Sequence, residues 1–206
     1  MAKTDPRPAP PKPATLPPVP VSRYVLYFAI AILGAAADLV TKEWMFQWRG
    51  APRQGNEWWL IDGYVGIETS LNLGALFGLG RGYSWAFAAL SIVAAVGIFV
   101  WLFIYNAARD RALTVALGCV MGGILGNLFD RLGLYHYEWL TPEYQYAVRD
   151  WILFRYGRHT WPNFNIADSL LVCGAALLVW HAVWYREPAE ETKPSGMTKP
   201  GGMTKP

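Results

Sequence analysis

Residues 112–132 read ALTVALGCVMGGILGNLFDRL. The run carries no charge before Asp130, and at 1.5 Å of rise per residue a helix of this length crosses the roughly 30 Å hydrocarbon core of a bilayer. A helix on the surface of a soluble domain would carry a polar face instead. Gly118, Gly122 and Gly126 recur every four residues, so one face is nearly bare backbone that another helix can approach closely. At the far end Asn127, Asp130 and Arg131 bring an amide, a carboxylate and a guanidinium within about one turn. On spacing alone, an interfacial anchor pair is as good a reading of Asp130 beside Arg131 as a chemical role for the aspartate.

Three more stretches reach the length of a span, at about 24–46, 84–105 and 164–185. The expected fold is therefore an all-α membrane protein, a four-helix transmembrane bundle occupying residues 23–186. Composition agrees: 53% of residues are hydrophobic and 16% charged, where a soluble domain approaches a quarter charged. The net charge of +3 is spread along the chain with no basic patch, which argues against nucleic acid as a partner. Cys119 and Cys173 lie inside apolar runs and suggest neither a disulfide scaffold nor a metal knuckle. Residues 1–22 hold eight prolines, so a disordered, polyproline-like arm is expected there in place of a cleavable signal. Residues 187–206 end in SGMTKP and GGMTKP, a low-complexity tail that cannot bury a core.

Lys and Arg counts orient the spans. With both termini in the cytoplasm, the cytoplasmic side carries ten basic residues, with Arg23, Arg109, Arg111 and Arg186 close to the span ends, against seven spread over two longer outer loops. Trp44, Trp48, Trp58, Trp59, Trp85, Trp139, Trp151 and Trp161 then gather at the outer interface, where indole rings are favoured. In the first outer loop, Trp58-Trp59-Leu60-Ile61 and Tyr64-Val65-Gly66-Ile67 flank Asp62-Gly63, a hairpin signal. A short interfacial helix is expected in the second, between Pro142 and Pro162.

Asp38, Lys42, Asp130, Asp150 and Asp168 fall in or against the spans, where a charge costs at least about 2.5 kcal/mol on insertion scales. Asp38 and Lys42 are four apart on one helical face and read as a structural ion pair. Asp150 precedes the last span and Asp168 opens it, so both carboxylates reach the outer surface. Two carboxylates held together do not both ionise easily. One keeps a proton and serves as general acid while the other activates water as general base. By spacing alone the two aspartates can equally be independent surface groups or members of a proton relay.

The order of short motifs along the chain resembles the lipoprotein signal peptidase (type II signal peptidase) family. Asp38-x-x-Thr41-Lys42 is similar to its D-x-x-T-K element, and Asn72-Leu73-Gly74-Ala75-Leu76-Phe77 to N-x-G-A-x-F. Gly122-Gly123-Ile124-Leu125-Gly126-Asn127-Leu128-Phe129-Asp130-Arg131 is similar to G-G-x-x-G-N-x-x-D-R, the most specific of the set. Val148-Arg149-Asp150-Trp151 resembles V-x-D-F, and Phe164-Asn165-Ile166-Ala167-Asp168 matches F-N-x-A-D. The resemblance implies an aspartyl endopeptidase of the bacterial inner membrane with Asp150 and Asp168 as catalytic residues. It implies Asn72, Asn127, Arg131 and Asn165 as substrate-positioning residues, and structural roles for Asp38, Lys42, Gly122, Gly126 and Asp130. It adds a small extracytoplasmic β-cradle and an outer loop helix to the four-helix bundle. The implied partners are membrane lipid and diacylglyceryl-modified lipoprotein precursors, cut on the amino side of the lipidated cysteine; no cofactor or metal is implied, and a monomer is expected. The chain departs from the pattern in an insertion between Arg131 and Asp150 that includes Glu138, Pro142 and Glu143, and in Tyr146 where glycine is usual. Neither glutamate has the flanking Val-x-Asp pattern, which leaves Asp150 as the match.

A proton- or cation-coupled transporter would also want intramembrane Asp and Lys, but four spans without an internal repeat make a poor carrier. A non-enzymatic assembly subunit would explain the glycines and leave two aspartates at neighbouring motif ends without a reason. His136, His159 and His181 are dispersed and no H-E-x-x-H occurs, which argues against a zinc peptidase. A Ser or Cys peptidase would lack its base nearby.

Overall fold

The computed structural model describes residues 18–184 except 54, 75–79 and 81. Most of the proline arm, the repeat tail and Ala75-Leu76-Phe77 lie outside the described residues.

Among the described residues four helices are long and apolar enough to cross a membrane: α1 (Val21–Arg49), α2 (Ser84–Phe99, continued by a π-helical turn over Val100–Ile104), α3 (Arg111–Arg131) and α4 (Ile166–Trp184). They match the four stretches read from the sequence, with α1 running about a turn further out. Large apolar side chains such as Val25, Leu33, Val40, Leu90, Val93, Val172 and Val179 are exposed on them, as suits a surface solvated by acyl chains.

The centre of the bundle is α3. Half of its most apolar window is buried, against 22%, 17% and 11% for α1, α2 and α4. The glycines explain this position. A Cβ on Gly118 would lie 3.2 Å from Ile30, and one on Gly122 would lie 3.2 Å from the Ala31 carbonyl oxygen; on Gly126 it would strike the Asp38 carboxylate. The glycine stripe therefore faces α1. Gly123 faces the other way, where a Cβ would come within 2.5 Å of the Ala167 carbonyl oxygen on α4.

Between the helices at one end lies a four-stranded antiparallel sheet, β1 (Trp58–Ile61), β2 (Val65–Asn72), β3 (Val148–Tyr156) and β4 (His159–Phe164), in that order. The hairpin expected over 58–67 is present, with Gly63 at φ 73° in its turn. The second outer loop differs from expectation. Its helical part is a single 3-10 turn, Pro142–Tyr144, and most of the stretch between Pro142 and Pro162 is strand. The run Val148–Tyr156 is rich in β-branched and aromatic residues and ends in a turn at Gly157, which are strand and hairpin signals. Pro162 is tolerated in β4 because that strand is an edge of the sheet. β2 and β3 rest on α1, and β3 also on α3. Ser70 pairs with Asp150 and Asn72 with Val148.

Candidate active site

The site is built up from a buried charge cluster on α1 and α3. Asp38 and Lys42, one turn apart, are both fully buried, and the Lys42 ammonium lies 2.7 Å from Asp38 Oδ2. It also lies 3.1 Å from Asp130 Oδ2 and donates to Asn127 Oδ1 at 3.0 Å. An ammonium is held out of water only when oxygens replace its hydration shell, and here three do. Asp130 is in turn the anchor of Arg149, whose backbone N–H donates to Oδ2 (3.0 Å) and whose Nε and NH2 groups donate to Oδ1 (3.1 and 2.9 Å). Arg149 also pairs with Glu43 at 3.0 Å.

Asp38 reaches the last helix as well. Its Oδ1 accepts the backbone N–H of Ala167 at 2.9 Å, one of the donors that a helix start leaves without an intrahelical partner. The rest of that start is a reciprocal cap: Asn165 Oδ1 accepts the Asp168 N–H at 2.9 Å, and Asp168 Oδ2 accepts the Asn165 N–H at 3.3 Å. Asp168 is thus fixed in the first turn of α4.

Asp150 comes from the sheet. It is buried on β3, with Oδ1 accepting from Asn165 Nδ2 at 2.6 Å and Oδ2 from Asn72 Nδ2 at 3.3 Å. Asn72 sits at the end of the neighbouring strand, and its Oδ1 accepts the Gly74 N–H at 3.0 Å. Asn127 donates to Asp168 Oδ1 at 2.8 Å and accepts from Asn165 Nδ2 at 3.2 Å. Two side-chain amides therefore connect the carboxylates in the order Asp168, Asn127, Asn165, Asp150. Burial pushes the Asp150 carboxyl well above the usual range, and the nearby Asp168 adds to the effect; Lys42 and the amides of Asn165 and Asn72 oppose it.

Two cavities adjoin the pair. One, of about 690 Å³, holds Asp150 with Arg53, Glu68, Ser70 and Thr160. The other, of about 720 Å³, holds Asp168, Asn127 and Arg131 among Phe87, Leu90, Leu171 and Val172. Asn72, Gly74, Trp161, Pro162 and Asn163 line both. Arg131 stands at their border, donating to the Gly74 carbonyl oxygen at 3.0 Å with its guanidinium 4.8 Å over the Phe87 ring.

The structure thus brings together the six residues singled out for catalysis or substrate positioning. Asp38, Lys42 and Asp130 lie beneath them and line neither cavity. Arg149 and its partners Glu43 and Tyr137 were not anticipated. The strand alternation points Arg149 away from the side of Asp150, which is the one signal that could have found it; Tyr137 lies in the insertion, where no pattern applies. Among the described residues no group of His, Cys, Asp and Glu is arranged to hold a metal ion.

A family model described as signal peptidase (SPase) II matches residues 30–184. A lipoprotein signal peptidase of Rhodopirellula baltica is 53% identical over 161 residues, covering 78% of this chain and 72% of that protein. One from Symbiobacterium thermophilum is 35% identical over 159 residues, covering 77% and 95%. Two bacterial membrane enzymes solved by the in meso method share the fold. The first has a TM-score of 0.63 at 24% identity, covering 85% of this chain and 94% of the other; the second has 0.60 at 27%, covering 77% and 92%.

Proposed function

The chain belongs to the signal peptidase II family, membrane peptidases of lipoprotein precursors, and from that premise we propose that it cuts as an aspartyl endopeptidase with Asp150 and Asp168 as its catalytic pair. The observation that carries this reading is the amide relay, which holds two carboxylates from different elements in one network. Asp150, buried and raised, is the group suited to keep a proton. Asp168, across the amide relay and beside an open cavity, is assigned as the group that takes one from water.

In the reaction, a water between the two gives its proton to Asp168 as its oxygen attacks the scissile carbonyl carbon. Asp150 donates its proton to the carbonyl oxygen, and the tetrahedral intermediate is neutral. As the C–N bond breaks, the proton on Asp168 passes to the leaving amine and that on the gem-diol returns to Asp150. Asn72, Asn127, Asn165 and Arg131 hold the carboxylates and the substrate backbone.

The substrate is a precursor carrying diacylglycerol on cysteine, cut on the amino side of that residue. The cavity of Phe87, Leu90, Leu171 and Val172 suits acyl chains. The basic residues near the span ends favour cytoplasmic termini and an outward-facing site, which cysteine labelling at Arg109 and Glu143 tests. The decisive experiment uses purified enzyme and a diacylglyceryl-modified precursor peptide. Wild type releases the signal segment; Asp150→Asn and Asp168→Asn, each inserted and folded, do not. Turnover near wild type in either variant would overturn the assignment.

A further inference from the structure

The segment between α3 and β3, residues 132–147, is pinned at several points. The buried Tyr135 places its hydroxyl 3.0 Å from the Tyr144 carbonyl oxygen and 2.9 Å from that of Ala147. Gln145 donates to the Gly133 carbonyl oxygen at 3.0 Å. The Tyr137 hydroxyl donates to Glu43 at 2.9 Å and accepts from Arg149 at 2.9 Å. Its ring stacks on Trp139 with centroids 4.9 Å apart and planes 4° from parallel, and Phe46 of α1 lies 6.0 and 6.4 Å from the two rings. The insertion is fastened both to α1 and to Arg149, the chain neighbour of Asp150.

Held in this way, it walls a third cavity of about 360 Å³, opposite Ala51 and Pro52 beyond the end of α1. Pro52, Ser70, Leu71 and Tyr144 line both this cavity and the one that holds Asp150, so the two adjoin as one groove, more polar than the cavity beside Asp168. No residue lining the third cavity lines the apolar cavity beside Asp168. The groove leads away from the acyl-chain side of the site.

A precursor cut at Asp150 and Asp168 has two unlike parts. Its signal segment and acyl chains belong with the bilayer and the apolar cavity. The exported polypeptide that follows the lipidated cysteine is headed for water and must leave by a polar route. Resting on the peptidase reading above, we infer that the inserted segment forms a subsite for the exported residues just beyond the cleaved bond, with Trp139 and Leu140 as its contact surface. The insertion therefore gives the enzyme a preference among lipoproteins according to the first residues of the mature chain.

Thr141 is exposed at the rim of this groove and is the place to introduce a charge without disturbing the stacked rings. Three diacylglyceryl peptides share one signal segment: one ends at the cysteine amide, and two continue with either an acidic or a basic mature segment. Thr141→Lys is expected to raise kcat/KM for the acidic peptide and lower it for the basic one, and Thr141→Glu to do the reverse. Each change is about two- to fivefold, the reach of an exposed charge pair, and fades with added salt. The peptide ending at the cysteine is cut by both variants at the wild-type rate. Equal changes on all three peptides, or none on the two longer ones, would overturn the subsite. Wild-type enzyme that cuts none of the peptides would instead remove the peptidase reading itself, a result seen before any variant is compared.

Discussion

Asp150 holds a position that costs the fold something. Its carboxyl is raised by burial and by Asp168, so the folded protein favours the protonated form more than the unfolded chain does. Stability from this group is fully present below its unfolded value and is lost as pH rises through the elevated folded value. Asp150→Asn removes that loss. Above neutral pH the variant should melt higher than wild type, by roughly 2–4 °C for each kcal/mol relieved, while remaining inactive; an unchanged or lower melting temperature would show that ionised Asp150 is well accommodated. Activity should fall on the alkaline side as Asp150 loses its proton. Asp38 can be dissected in the same manner. Asp38→Asn keeps an oxygen for the Ala167 N–H but leaves Lys42 short of one charge, so it should lower the melting temperature more than turnover. Asp38→Ala also removes the cap, worth about 1 kcal/mol, and loosens the turn that holds Asp168, so turnover should fall as well. Equal turnover in the two variants would separate the cap from the chemistry.

At the scale of elements, the glycines of α3 decide how close its neighbours come. A methyl group at Gly126 meets the Asp38 carboxylate, whereas one at Gly97 on α2 meets nothing within 4 Å. Gly126→Ala should cost on the order of 1–3 kcal/mol and disturb the site; Gly97→Ala should be neutral or slightly stabilising. Comparable melting curves for the two would refute the close-approach reading. These glycines were legible in the sequence because their period of four matches a helix face. The spans were legible from length and apolarity, and the first hairpin from Asp62-Gly63. The second hairpin was not: prolines at 142 and 162 drew attention to the ends of the loop and away from the aromatic run Val148–Tyr156. The side-chain amides could be picked out only through resemblance to known motifs, since nothing local in Asn72, Asn127 or Asn165 shows that three separate elements bring them to one point. Arg149 escaped even that, because the motif leaves its position open.

For the whole molecule, the placement of the two carboxylates between a polar and an apolar cavity bears on how substrate is chosen. A precursor is already anchored by its signal segment, so transfer of acyl chains from water contributes little to its binding. On the proposed reading, lipid in the apolar cavity would act mainly by setting the depth and angle of the scissile bond. The peptide without diacylglycerol should therefore be cut poorly even at saturating concentration, and Asn72, Asn127 and Arg131 variants should share that loss of kcat. Equal maximal rates for lipidated and unlipidated peptide in one detergent would show that the lipid only concentrates substrate.

The contact between Asp38 and the Ala167 N–H joins α1 to α4, the first and last of the described spans. During translation Lys42 can find Asp38 at once, Asp130 when α3 inserts, and Arg149 after that, but the turn carrying Asp168 arrives only with the final span. Until then a ribosome-bound chain has no assembled carboxylate pair. On the proposed assignment, synthesis of α4 is the step that completes the site.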